Sequence, residues 1–199
     1  MEKRCKKAAV TGIVCVLVYF LSVTVFLVTK AGPALTLWEL MTVAGAAVML
    51  VSLSLISDAY GISPLYRRFL TISLSGTLII TSAAHFTSIG VVRPLAERGE
   101  AIPEYFKIGT FPSLEMTLDY TAWGFFMGAA FIIMFMGIKD KGLRIISLVC
   151  GLLCLIGFTG SFFNENLWYA APFGYGFGFI AMCIYVLKKG KGASTDISR

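Results

Sequence analysis

Six stretches of mostly apolar residues, each bounded by charged residues or proline, run along the chain at 8–28, 37–56, 69–92, 118–138, 143–163 and 167–187. A helix rises 1.5 Å per residue, so about 20 such residues cross the roughly 30 Å hydrocarbon layer of a bilayer. Within each stretch the apolar positions are continuous rather than alternating, which argues against transmembrane strands, whose every second residue faces a polar lumen. A helix also satisfies its own backbone groups, as hydrocarbon demands. The pattern predicts an all-α, polytopic integral membrane protein: a single domain over 1–199, folded as a six-helix bundle. Its one long connection is 93–117, and a short basic tail follows at 188–199.

Composition sharpens this reading. Hydrophobic residues make up 57% of the 199 positions and charged residues 14%, with a mean hydropathy of +0.82. A soluble domain carries about 25% charged residues, and a disordered chain lacks this apolar content. Of the five cysteines, Cys15, Cys150, Cys154 and Cys183 lie within apolar stretches and Cys5 just before the first, so no disulfide framework is expected. Cys150 and Cys154 share a helix face, where small apolar core residues are a simpler account than a metal pair without His, Asp or Glu nearby.

Charge gives the orientation. Alternate connections on one side, with both termini, hold 13 of the 17 lysines and arginines. The other side holds only Lys30, Arg93, Arg98 and Lys107, together with Glu39, Glu97, Glu100, Glu104, Glu115, Asp119 and Glu165. The excess of cations on cytoplasmic loops then places both termini in the cytoplasm. The compact form without appended domains suggests the cytoplasmic membrane of a prokaryotic cell. The net charge of +6 is dispersed over short juxtamembrane segments, which suits lipid headgroups as partners and not nucleic acid. The first apolar stretch is longer than the 7–15 residues of a signal-peptide core, so an uncleaved anchor is expected.

Small residues predict where helices approach closely, or where two copies of the chain pair as a homo-oligomer: Gly45 with its alanine neighbours, Gly124 with Gly128, and Gly174 with Gly178. Pro172, ahead of Gly174, Gly176 and Gly178, predicts a loosened outer half in the last helix. Trp38, Trp123 and Trp168 fall toward the outer side as an aromatic belt would. The 93–117 connection mixes Leu95, Ile102, Tyr105, Phe106, Ile108 and Phe111 with charges, as an interfacial segment or a cover over the bundle mouth would.

Ionisable groups inside a membrane cost about 2.5–3.5 kcal/mol each at a helix centre, so those present are candidates for function. His85, the only histidine, falls in the outer third of the third stretch. Glu115 and Asp119 are one turn apart, and Trp123 continues their face inward. Glu39 opens the second stretch, as an interface charge on the plainest reading. A buried, hydrogen-bonded structural histidine is the plainest account of His85, and a first-turn carboxylate is what a helix dipole favours at Glu115 and Asp119. The sharper reading puts His85, Asp119, Glu115, Trp123 and Glu39 around one outward-facing polar cavity that takes a small amphipathic or cationic molecule, as in a small transporter, sensor or accessory subunit. The alternative is a membrane-embedded enzyme acting on a lipid-like substrate through His85 and Asp119, as acid and base or as metal ligands. No phosphate-binding glycine loop, nucleophile elbow or Cys-x-x-Cys pair accompanies these residues, and the sequence assigns no cofactor.

Overall fold

A computed structural model describes residues 3–107 and 110–192 and is 87% helix. Ile108 and the tail residues 193–199 lie outside the described residues. The helices are α1 (Lys3–Thr29), α2 (Gly32–Ala59), α3 (Pro64–Thr87), α4 (Arg93–Glu97), α5 (Leu114–Tyr120), α6 (Met127–Gly137), α7 (Lys141–Gly160), α8 (Ala170–Pro172) and α9 (Phe179–Gly192). Three π-helical turns, Ser88–Val92, Thr121–Phe126 and Phe173–Gly178, join α3 to α4, α5 to α6 and α8 to α9. Two 3₁₀ turns, Glu104–Phe106 and Glu165–Tyr169, lie in the connections. Counted across their π turns, six helices among the described residues are long and apolar enough to cross a membrane: Lys3–Thr29, Gly32–Ala59, Pro64–Glu97, Leu114–Gly137, Lys141–Gly160 and Glu165–Lys189.

Each long helix runs past its apolar stretch at one or both ends, because helix starts are set by local chemistry and not by hydropathy. Pro33 and Pro64 stand in the first turns of α2 and α3, where a missing N–H costs nothing. Asp140 caps α7 by accepting from the Leu143 amide at 2.8 Å, and Ser113 caps α5 by accepting from Met116 N at 3.3 Å. The segment from Arg93 corrects the sequence reading. The third helix continues through its π turn to Glu97, and the next begins at Leu114, so the long connection spans 98–113 and Arg93 belongs to a helix.

The six long helices pack in a ring. α1 lies against α2, α2 against α3, α3 against α6, α6 against α7, α7 against α9 and the turn before it, and α9 closes back on α1. Met49, Leu53, Met127, Phe131, Met134, Phe179 and Met182 fill the middle with little or no exposure. The close approaches of the glycines are made inside this ring. A Cβ on Gly124 would stand 2.7 Å from Phe158 Cβ, and one on Gly174 2.6 Å from the Cys150 carbonyl, whereas Gly45 has open space beside it. Buried hydroxyls bind backbone across helices: Ser52 donates to the Ala8 carbonyl at 3.1 Å, and Thr77 to the Ala122 carbonyl at 3.2 Å within the second π turn. A π turn frees such carbonyls from its own ladder.

The two ends of the ring differ. At the end holding the α6–α7 connection, Asp140 accepts from the Tyr185 hydroxyl at 2.9 Å and pairs with Lys189, and Arg67 pairs with Asp58 at 2.7 Å. Burial works to raise the Asp140 carboxyl, but bonds from Lys189, the Leu143 amide and Tyr185 outweigh it and hold the group below the usual carboxylate range. At the opposite end lies a cavity, with Tyr175 of the last π turn in its wall.

Candidate functional site

The cavity has a volume of about 220 Å³ and is walled by five of the six long helices, α7 being the exception. Tyr19 comes from α1, Trp38 from α2, His85 from α3, Asp119 and Tyr120 from α5, and Tyr175 from the last π turn. A cavity of about 150 Å³ holds benzene, and drug-sized pockets run from about 300 Å³ upward. This one fits a small organic group.

Its polar wall is a row of ionisable side chains. His85 is 3% exposed and stands between two carboxylates: Nδ1 is 3.9 Å from Glu39 Oε1, and Nε2 is 3.3 Å from Asp119 Oδ1. Neither ring nitrogen is aligned for a hydrogen bond, although both are buried. Glu39 has no exposure at all and pairs with the Arg93 guanidinium, whose Nη1 donates to the Thr36 hydroxyl. Glu115 is 5% exposed and bonded to the Ser88 hydroxyl, yet its Oε1 is buried without a partner. Asp119 keeps 24% of its side chain exposed, and its Oδ1 also lacks a hydrogen bond.

The structure therefore brings together His85, Asp119, Glu115 and Glu39, with Glu39 behind the imidazole rather than on the cavity surface. Two expectations are corrected. Glu39 is not an interface charge: it is fully buried, because the continued third helix carries Arg93 back over the bundle to meet it. Trp123 does not line this cavity. It lies one turn deeper, with its ring 4.7 Å from that of Tyr175, against a separate void of about 20 Å³. Tyr175 and Tyr19 stand between the two spaces, lining both.

Sequence reasoning missed Tyr19, Tyr175 and Arg93 as cavity or second-layer residues, and read Trp38 as a belt residue. A signal was present for the tyrosines, since a phenol within an apolar helix needs either a partner or a cavity. None existed for Arg93, whose role follows from a π turn that sequence periodicity does not reveal. Tyr120 donates to the Trp168 carbonyl at 3.1 Å and stacks on that indole at 5.3 Å, which fixes its ring as a wall.

Chemically, the cavity joins aromatic faces, which carry negative π density, to two carboxylates whose cationic neighbours are limited. Arg93 is committed to Glu39, leaving the imidazole as the nearest basic group on the cavity surface. Among the described residues, no group of three or more His, Cys, Asp or Glu side chains is arranged to hold a metal ion. No family model matches the chain, and comparisons with curated proteins and with solved structures find no similar one.

Proposed function

We propose that the chain is a multi-pass protein of the cytoplasmic membrane, with both termini in the cytoplasm, which binds a small organic cation in the outward-facing cavity as a small transporter, sensor or accessory subunit. Six apolar helices and the concentration of lysine and arginine at one end support the insertion and its direction. One observation carries the ligand class. Buried oxygens of Glu115 and Asp119 have no hydrogen-bond partner and border a space walled by Tyr19, Trp38, Tyr120, Tyr169 and Tyr175. A buried carboxylate oxygen without a hydrogen bond is costly, and an ammonium group supplies both a charged donor for it and a cation for the ring faces.

The enzyme reading keeps one favouring observation, the 3.3 Å approach of His85 Nε2 to Asp119 Oδ1, a distance at which a proton can be exchanged once the groups align. Ligand binding is preferred because it uses the whole cavity wall, whereas the proton pair uses one edge of it.

The test is native mass spectrometry of the detergent-solubilised protein with tetraethylammonium, beside Asp119→Asn and His85→Ala. The wild-type protein should hold the cation, and Asp119→Asn should weaken it about tenfold, the loss of one charge-assisted contact. A wild-type protein that retains no cation, or an Asp119→Asn variant that binds it equally well, overturns the proposal.

A further inference from the structure

A second cavity, of about 570 Å³, adjoins the first and shares Trp38 and Glu115 with it as common wall. Its character is opposite. Lys30, Arg93 and Lys107 supply cations around it, while Phe26, Leu27 and Phe106 give it an apolar flank. Lys30 stands just beyond the end of α1 with a left-handed backbone (φ 53°), and its Nζ lies 5.4 Å from the centre of the Phe26 ring. Lys107 pairs with Glu104 on the surface at 2.5 Å, and Arg93 is held by Glu39. At the shared wall, Trp38 stacks on Phe26 at 5.4 Å.

Across one tryptophan and one glutamate, the molecule thus places an aromatic, acidic space that suits an ammonium beside a basic space that suits an anion. The apolar flank continues to Leu27, which is 55% exposed on the outer surface of the bundle. Building on the cation site proposed above, we infer that the ligand is an amphiphile with a phospho-ammonium zwitterionic headgroup. Its ammonium sits against Asp119, Glu115 and the tyrosines. The phosphate faces Lys30 and Lys107, and the alkyl chain leaves along Phe26 and Leu27. Arg93 contributes field to the phosphate side while it remains paired with Glu39. The arrangement selects against a simple alkylammonium, which leaves the basic cavity unanswered, and against an alkyl phosphate, which leaves Glu115 and Asp119 unanswered.

The experiment is a competition in one solution, read by native mass spectrometry. The full-length protein in nonionic detergent is offered equimolar lysophosphatidylcholine, alkyltrimethylammonium and alkyl phosphate with matched chains, together with tail-less phosphocholine. The wild-type protein should retain the lysolipid about tenfold over each of the other three. Asp119→Asn should bring lysolipid down to the level of the alkyl phosphate. Lys30→Gln with Lys107→Gln should bring it down to the alkyltrimethylammonium, whose own binding stays unchanged, and Lys30→Arg with Lys107→Arg should restore the preference. Both lysines are exposed, so these variants leave the core intact.

If alkyltrimethylammonium matches the lysolipid in the wild-type protein and the glutamine pair changes nothing, the zwitterion is overturned and the cation site stands. If no ammonium-bearing probe is retained, both fall. If tail-less phosphocholine equals the lysolipid, the amphiphile is overturned.

Discussion

Arg93 brings a guanidinium to a carboxylate with no solvent exposure, whose second basic neighbour is the His85 imidazole at 3.9 Å. Two charges taken out of water gain stability only when paired, and removing one partner of such a pair commonly costs about 3–5 kcal/mol because the other stays behind unmatched. Arg93→Met is therefore expected to lower the melting midpoint of the solubilised protein markedly. The double change Glu39→Gln with Arg93→Met should recover most of the loss, since it strands no charge. Thermal melts of the single and double variants check this, and a double variant as unstable as the single one contradicts the pairing account. The same pair shows where residue-level reading of the sequence stops. Histidine and acids at one end of the bundle were legible, because few charges occur in apolar stretches and topology sorts them by side. That Glu39 would be neutralised by Arg93 was not legible, since the contact depends on how one helix continues past its apolar run.

Among the elements, existence was legible and boundaries were not, for a physical reason. Hydropathy summed over about 20 residues is a strong signal, while the ends of α2 and α3 follow from Pro33 and Pro64, and those of α5 and α7 from Ser113 and Asp140. The loosened outer half of the last helix follows from Pro172 and three glycines, and it takes the form of a 3₁₀ turn, the short α8 and a π turn. The other two π turns contain no proline, and nothing in their composition announces them. Small residues gave a mixed result: all three pairs or groups were equal candidates for close packing, yet their surroundings differ. An alanine at Gly124 would bring its Cβ to 2.9 Å from Phe158 backbone atoms, which have no freedom to move aside, whereas at Gly45 nothing lies within 4 Å. Gly124→Ala should therefore lower the melting midpoint by several degrees, an overpacking cost of about 1–3 kcal/mol, and Gly45→Ala should leave it unchanged or raised. Equal melts for the two variants would mean that α7 does not hold the second π turn closely.

For the whole molecule, ring closure explains why the cavity exists. Six helices, each packed on its neighbours in sequence and the last on the first, meet tightly around Met127, Phe131 and Phe179 and leave a cavity toward one end. The buried ionisable groups His85, Glu39 and Glu115 gather at that end. The opposite end is drawn together by Asp140, Tyr185 and Lys189. The proposed ligand reaches the cavity from outside the cell only if the cavity end faces outward, so function and orientation stand or fall together. The native cysteines provide a quiet background for deciding it, since Cys5, Cys150, Cys154 and Cys183 are buried and Cys15 is partly so. Glu100 and Lys141 are both exposed, Glu100 in the connection at the cavity end and Lys141 at the start of α7 at the other. In intact cells, Glu100→Cys should react with a membrane-impermeant maleimide, while Lys141→Cys should react only after permeabilisation. The reverse pattern would turn the cavity toward the cytoplasm, where the cation excess of that orientation would oppose the rule that governs short loops, and the ligand would have to be drawn from the inner leaflet.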